Sequence, residues 1–446
     1  MNLLSFFRGE AFARGVHPPQ HKDVAAMPIR RLPFAPRMIV PLSQNVGRPA
    51  KAVVHIGQEV VRGQLIASAD GFLSVPHHAP VSGVVEDIRL APSARGSWTE
   101  SILIRTHAAS PQAVEWADPQ NLAELDRAGL IEAIQATGVV GLGGGIFPTH
   151  AKLKVPPEYP VDTLVVNGCE CEPYLSSDHR IMLEQTAALM AGISIARRLL
   201  GMPRAIIGVE DNKPDAVEAI RRCLPDDGSV TVEAVPTKYP QGAGEMLIKT
   251  LLGREVPPDA RAYTTGAFVQ NVATLANIGA LLASGQGFIE RVVTVAGSAV
   301  KRPGNYLVPL GTPLKFLLEC VGATDDAVEV VFGGPMMGEA VASLDTPITK
   351  GVGGVLVFRG RDLAHQAGHT YPCIKCGECI ESCPMGLNPS SLGMLAAKRD
   401  FETMADEYRL GACFECGTCS YVCPSHIPLV QHFRVAKAVL KGRAAA

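Results

Sequence analysis

Eight cysteines between positions 373 and 423 carry the strongest chemical signal in the 446-residue sequence. They fall in two runs, Cys373-x2-Cys376-x2-Cys379-x3-Cys383-Pro384 and Cys413-x2-Cys416-x2-Cys419-x3-Cys423-Pro424, and every cysteine and the proline recur at an offset of 40. Thiolates are soft ligands that suit iron and zinc. A structural zinc site takes four ligands, commonly two C-x2-C pairs across a longer loop. Three thiols at three-residue spacing, twice over, suit iron–sulfur cubanes whose fourth ligand comes from elsewhere in the chain. The other cysteines, Cys169, Cys171, Cys223 and Cys320, are scattered. Clustering of this kind in a long chain points to metal ligation in a reducing compartment rather than to a disulfide scaffold. Cys169 and Cys171 read as buried structural thiols with no assigned function.

The spacing resembles that of bacterial two-cluster ferredoxins, in which the fourth cysteine of each run ligates the other cluster. That resemblance implies Cys373, Cys376, Cys379 and Cys423 on one [4Fe–4S] cluster, and Cys413, Cys416, Cys419 and Cys383 on the second. Gly377 and Gly417 let the backbone approach the sulfides, and each proline turns the chain away. Leu392 to Tyr408 has helical composition and fits the connector.

A second candidate site lies between Gly138 and Tyr174. Gly141-Leu-Gly143-Gly144-Gly145-Ile146-Phe147, followed by His150 and Lys152, offers converging backbone N–H groups and a cation, chemistry suited to a phosphate. It is not the dinucleotide fingerprint, which follows a strand, nor a P-loop, which needs Gly-Lys-Ser/Thr. Leu130, Ile131 and Ile134 instead predict a helix over Asp126 to Thr137, stopped by Gly138. Taken alone, the loop reads equally as a ligand cradle or as a bare turn. The neighbouring elements favour the cradle. Val161 to Asn167 predicts a buried strand, followed by the acidic turn Gly168-Cys169-Glu170-Cys171-Glu172-Pro173-Tyr174. A long helical segment Arg180 to Leu200, a strand Ala205 to Val209, a helix Pro214 to Arg222 capped by Asn212 or Asp211, and a strand Val230 to Val235 complete a parallel-sheet pattern. Ligands of such sheets sit beyond the carboxyl ends of the strands, where Asn167, Glu170 and Glu172 fall.

Residues 40 to 107 read as a small β-rich module similar to lipoyl or biotinyl carriers. No lysine occurs between Lys51 and Lys152, which rules out a swinging arm. His77 and His78 read as exposed turn histidines rather than metal ligands. Residues 292 to 321 alternate, turn at Pro303-Gly304-Asn305 and end in a short helix, which resembles the SLBB β-grasp module and reads as packing rather than catalysis. Arg434, Lys437, Lys441 and Arg443 read as a solvated helix face. A net charge of −2 and 5% aromatic residues argue against a nucleic-acid binder. The 47% apolar content supports real cores. No stretch reaches the ~18 uninterrupted apolar residues of a membrane span, Val272 to Ala283 reads as a buried helix, and the N-terminus lacks the pattern of an export signal.

The expected fold is α/β multidomain: a β-rich barrel-sandwich-like module within 1–110, a parallel-sheet FMN/NADH-binding domain over 120–285, an SLBB-like β-grasp module over 286–362, and a two-cluster ferredoxin-like domain over 363–446. The FMN part rests on resemblance. The loop Gly141 to Lys152, the turn Asn167 to Pro173, Gly244-Glu245 and Gln270-Asn271-Val272-Ala273-Thr274 resemble the flavin-site segments of the 51-kDa NADH-oxidising subunit of respiratory complex I. With the double cysteine run, Gly15-Val16-His17-Pro18-Pro19 and Gly333-Gly334-Pro335-Met336-Met337-Gly338, nearly the full length resembles the C subunits of Rnf-type ion-translocating electron-transport complexes.

The resemblance implies that Gly141, Gly143, Gly144 and Lys152 hold the FMN phosphate and ribityl end. Asn167, Glu170, Glu245 and Asn271 would line the isoalloxazine and ribityl groups, with Tyr239 close by. Phe147 would stack on the nicotinamide or adenine ring, and Glu172 would sit near a ribose hydroxyl. The chain departs from the pattern at Ile146, where glycine is usual, and at Glu245-Met246, where two glutamates are usual. Hydride transfer between NAD(H) and FMN needs position and electrostatics, so no catalytic acid or base is implied. The implied setting is a membrane-bound complex at the cytoplasmic face of the inner membrane, with ferredoxin or flavodoxin as indirect partner. Two other readings share parts of this pattern: a non-enzymatic two-cluster relay with a degenerate flavin site, and the diaphorase subunit of a soluble hydrogenase or formate dehydrogenase.

Overall fold

Both faces of a buried parallel sheet must be covered, so its strands read as continuous apolar runs. In the computed structural model, which describes residues 12–94, 96–114, 121–363 and 369–445, those runs form a four-stranded parallel sheet. Its order is Val230–Val235, Arg204–Glu210, Thr163–Gly168, Ala267–Asn271. Leu164 and Val166 enter a core shared with the helices Thr186–Leu200 and Val272–Ser284. Val165 faces Leu247 and Ile248 of the helix Gly244–Leu252 on the other side. The chain steps outward from Thr163–Gly168 in one direction and later returns to its opposite edge. This creates a topological switch point, with Asn167 and Asn271 paired at the carboxyl ends.

The N-terminal module has a four-stranded antiparallel sheet, ordered Arg37–Pro41, Trp98–Thr106, Gly83–Pro92, Glu59–Val60. A three-stranded sheet of Lys51–Ala52, Leu65–Ser68 and His77–His78 accompanies it. The β-grasp region builds a six-stranded sheet around Glu290–Ala296, Gly304–Pro309 and Gly354–Arg359, with the helix Leu314–Val321 buried against it. Its edge strand is Arg30–Arg31, delivered from far upstream and parallel to Gly304–Pro309.

At the carboxyl end, the short helices Glu378–Ser382 and Thr418–Tyr421 and the longer helices Pro389–Ala397 and Leu429–Ala445 repeat the cysteine offset. Lys375 and Glu415 both take left-handed backbone, as do Gly377 and Gly417. Among the described residues, no helix is long and apolar enough to cross a membrane. The first eleven residues, on which the export-signal reading partly rests, lie outside the described residues.

Several local expectations are corrected. The segment Arg180 to Leu200 is two helices, Ser177–Glu184 and Thr186–Leu200, broken at Gln185, whose φ of −125° is not helical. Leu392 to Tyr408 likewise divides after Ala397; Arg399 is left-handed and Asp400 caps a new helix, Phe401–Asp406, at Thr403. Neither Asn212 nor Asp211 caps the helix Pro214–Arg221. The Asp211 carboxylate accepts from Thr237 instead, and Asn212 accepts from Lys213. His77 is buried on a strand with its Nε2 3.0 Å from the Leu42 carbonyl oxygen. Burial holds His77 well below the ordinary imidazole range and pushes His78 down to about 4, with Lys350 adding to both.

The helices Thr186–Leu200 and Val272–Ser284 cross backbone to backbone. A Cβ on Gly192 would lie 1.9 Å from the Leu275 carbonyl oxygen, and one on Gly279 would lie 2.1 Å from that of Ala188. Overpacking such a contact costs about 1–3 kcal/mol. Gly192→Ala is therefore expected to lower the thermal midpoint read by circular dichroism. Gly442→Ala, whose Cβ would meet nothing within 4 Å, should not.

Candidate functional site

The glycine loop is held at both ends and open in the middle. Asp126 caps the helix Arg127–Thr137 by accepting from the Gly129 N–H at 2.8 Å, and Gly138 ends it in left-handed conformation. A bridge between Val140 and Pro148 closes the loop, with Gly141 N–H donating to the Phe147 carbonyl oxygen and Ile146 N–H to that of Gly141. Gly143, Gly144 and Gly145 stand exposed between them, as does Phe147. Ile146 has φ +41°, the region a glycine would take without strain, which locates the physical cost of that departure. The Leu142 N–H donates to Thr274 Oγ1 at 2.9 Å, tying the loop to the first turn of the helix that Asn271 caps.

This anchorage puts the loop over the switch point. A Cβ on Gly143 would lie 3.3 Å from Asn271, a tight contact that would push the two apart by a few tenths of an ångström. Lys152 is solvent-accessible yet lies in a recess deep enough for desolvation to lower its pKa to about 8, against the nearby charge of Glu245. Its Nζ donates to the Val269 carbonyl oxygen at 2.6 Å. Glu245 lies in the first turn of the helix Gly244–Leu252, and Met246 is turned into the core, so the usual second glutamate would be buried here. An open glycine backbone, an ammonium without a bonded carboxylate, and two amides at a sheet switch point fit a phosphate-bearing ring ligand.

The acidic turn is committed differently from expectation. Asn167 donates to the Gly242 carbonyl oxygen and accepts from Cys169 N–H. Glu170 is buried and accepts from Ser177 Oγ, Asp178 N–H and His179 N–H at 3.0–3.2 Å, so it caps the next helix rather than presenting its carboxylate to a ring. Glu172 is not free for a ribose: its carboxylate accepts from the backbone N–H groups of Met336 and Met337 at 3.0 and 2.8 Å. Gly334 makes this possible, since a Cβ there would lie 2.2 Å from Glu172 Oε2. Lys22, which no local pattern reveals, donates to the carbonyl oxygens of Glu170, Glu172 and Leu175 and fixes the turn from beneath.

Thiols of the two runs come near one another across the repeat. Burial raises the Cys379 thiol, and Cys376, Cys423 and Cys373 raise it further as close neighbours. The corresponding neighbours of Cys419 are Cys416, Cys413 and Cys383. Among the described residues no three His, Cys, Asp or Glu side chains converge as they would on a single ion. A [4Fe–4S] cluster would take one thiolate on each of its four irons, so its ligands need not converge on a single point. The Glu415 N–H points at Cys413 Sγ from 3.4 Å, the kind of bond that tunes a cluster.

The two repeats differ in what covers them. Gly417 presses on the Met336 carbonyl oxygen, where a Cβ would lie 2.6 Å away. The Tyr239 Oη–H donates to the Cys416 carbonyl oxygen at 2.6 Å, and Arg434 donates to that of Met337. Tyr239 is itself paired with Val16. In the first repeat, Cys373 and Cys376 are exposed and Ile374 is 66% accessible.

Glu172 supplies a pH test of this seam. Burial raises its pKa to about 7 despite the two amide bonds, so the folded chain keeps a proton that the unfolded chain releases near 4.5. The stability of the wild type relative to Glu172→Gln should therefore fall as pH rises from 4.5 to about 7 and level off above. Urea unfolding across that range checks it, and an upward slope would contradict the assignment.

Residues 10–109 match the RnfC barrel sandwich hybrid domain, 134–280 the Nuo51 FMN-binding domain, 292–340 the SLBB domain and 372–427 the 4Fe-4S dicluster domain. The C subunit of the proton-translocating ferredoxin:NAD(+) oxidoreductase complex of Clostridium ljungdahlii is 40% identical over 92% of this chain and 88% of its own length. The C subunit of the ion-translocating oxidoreductase complex of Haemophilus influenzae is 38% identical over 96% of this chain, which spans 64% of that relative. A crystal structure of NAD+-reducing [NiFe]-hydrogenase shares the fold, with a TM-score of 0.51 and 22% identity over 71% of this chain and 63% of that one. Carried by near-full-length identity to those curated relatives and by four domain matches in order, the chain belongs to the family of C subunits of ion-translocating oxidoreductase complexes.

Proposed function

We propose that the chain is the peripheral NAD(H)-linked flavo-iron–sulfur subunit of a membrane-bound complex, exchanging electrons between NAD(H) and ferredoxin. One observation carries the reading: Glu172 of the acidic turn and the Cys416–Gly417 segment meet on the same Met336–Met337 backbone. FMN, when bound, supplies the exchange between a two-electron hydride carrier and one-electron clusters. Gly143 and Gly144 leave backbone open to its phosphate and ribityl chain, Gly141 closes the loop that presents them, and Lys152 brings positive charge into the recess. Asn167, Glu245 and Asn271 border the ring, and exposed Phe147 offers a face for the nicotinamide or adenine. Cys373, Cys376, Cys379 and Cys423 hold one cluster; Cys413, Cys416, Cys419 and Cys383 hold the other. No side chain is given an acid–base role in the hydride step. Partner subunits would hold the chain at the cytoplasmic face of the membrane.

Anaerobic NADH titration of the FMN-loaded chain should bleach the flavin and then raise reduced-cluster EPR signals. Intact clusters that accept no electrons, in a chain that binds no FMN, would leave only a two-cluster relay. Lys152→Ala is expected to weaken FMN binding about tenfold, as loss of one charge-assisted contact would. Cys376→Ala and Cys423→Ala should each halve the iron content and remove the same EPR signal, while Cys383→Ala removes the other. Loss of one signal per sequence run would overturn the crossed assignment.

A further inference from the structure

Asp178, in the first turn of the helix Ser177–Glu184, has no part in the reading above. Its Oδ2 accepts from Asn271 Nδ2 at 2.6 Å, and Asn271 is the residue against which Gly143 of the glycine loop rests. The Asp178 N–H donates to Glu170 Oε1 at 3.0 Å. The charged groups acting on its carboxyl are Glu170 from the acidic turn, Arg291 from the strand Glu290–Ala296, and Lys213 after the strand Arg204–Glu210. The adjacent His179 is turned away, onto Asp215 at 2.8 Å. Asp178 as a residue is half-buried, while its carboxyl is desolvated. One carboxyl is thus hydrogen-bonded to an amide bordering the cleft and set among opposing charges, an arrangement in which a small change of local charge changes protonation.

We propose that Asp178 is a positioning residue for the flavin, taking up one solvent proton when the cleft gains negative charge on flavin reduction and so setting how the flavin potential varies with pH. The inference rests on the flavin reading. NADH gives up a hydride, two electrons and one proton, and leaves as NAD+. In that transfer the nicotinamide C–H bond would break and an N–H bond on the flavin would form, and the negative charge so added to the cleft would be answered by one O–H bond formed on Asp178 with a proton from solvent. Passing the two electrons singly to the clusters would release two protons to solvent, the one from Asp178 and the one that arrived with the hydride. Desolvation first and Glu170 second lift the carboxyl to about 7, which poises it for exchange at neutral pH.

The test uses the full FMN-loaded chain, with flavin midpoint potentials measured by spectroelectrochemistry at a series of pH values. FMN affinity is followed in parallel by fluorescence quenching. The wild type is expected to show a change of slope near pH 7 that Asp178→Asn loses and Asp178→Glu keeps at a shifted pH, with FMN affinities within a few-fold. Identical pH dependence in wild type and Asp178→Asn overturns the proposal. Should the variants fail to fold, redox-difference infrared spectra of the wild type decide. Conversion of a carboxylate band to a protonated carboxyl band on reduction supports it, and absence of that conversion overturns it. A wild type that binds no FMN overturns this inference and the flavin reading together, whereas the other failures leave that reading standing.

Discussion

Two neighbouring parallel strands end level with one another at Asn167 and Asn271, and the helices Thr186–Leu200 and Val272–Ser284 that come after them pack together on one face of the sheet. The strand order reverses between them, which leaves a gap beyond their carboxyl ends. The loop over the gap is anchored to the same strand and helix that form one of its walls, through Leu142 on Thr274 and Lys152 on Val269. The gap, its cover and its charge are therefore one mechanical unit. Displacement of the helix Val272–Ser284 would move all three, and the close crossing at Gly192 and Gly279 resists such displacement.

The second constraint is how separate modules are kept in register. Long-range ties do this, most of them involving backbone. Lys22 gathers three carbonyl oxygens of the acidic turn, and Lys350 donates to those of Pro76 and Gly138, joining the β-grasp region, the N-terminal module and the stop of the helix before the glycine loop. An ammonium has three donors and no acceptor, which makes it suited to such junctions. Burial brings Lys350 down to about 7, so this junction stands near its titration point.

Strands, helices and the cysteine repeat were legible wherever the signal was local. Apolar runs marked the parallel strands, Asp126 and Gly138 marked the two ends of a helix, and cysteine spacing marked the repeat. Illegible features depended on partners far away in sequence. His77 looked exposed because nothing nearby in the chain announces that Leu42 and Lys350 enclose it. Glu172 looked available because its partners lie more than 160 residues downstream. The segment from residue 12 to 31 has no periodicity of its own, yet it pairs with Tyr239, supports the acidic turn and adds a strand to a distant sheet. The GGPMMG motif was visible as a pattern. Its reason, room at Gly334 for a carboxylate, was not.

The unequal cover of the two cysteine repeats has a consequence for wiring. A duplicated unit could have offered two equivalent ports, each able to trade electrons with solution and with the cleft. Here one copy is sealed against Tyr239 and Met336, while the other leaves Cys373, Cys376 and Ile374 uncovered. Were the clusters held as proposed, they would be unequal ports, the first open to a redox partner and the second set against the Met336–Met337 backbone.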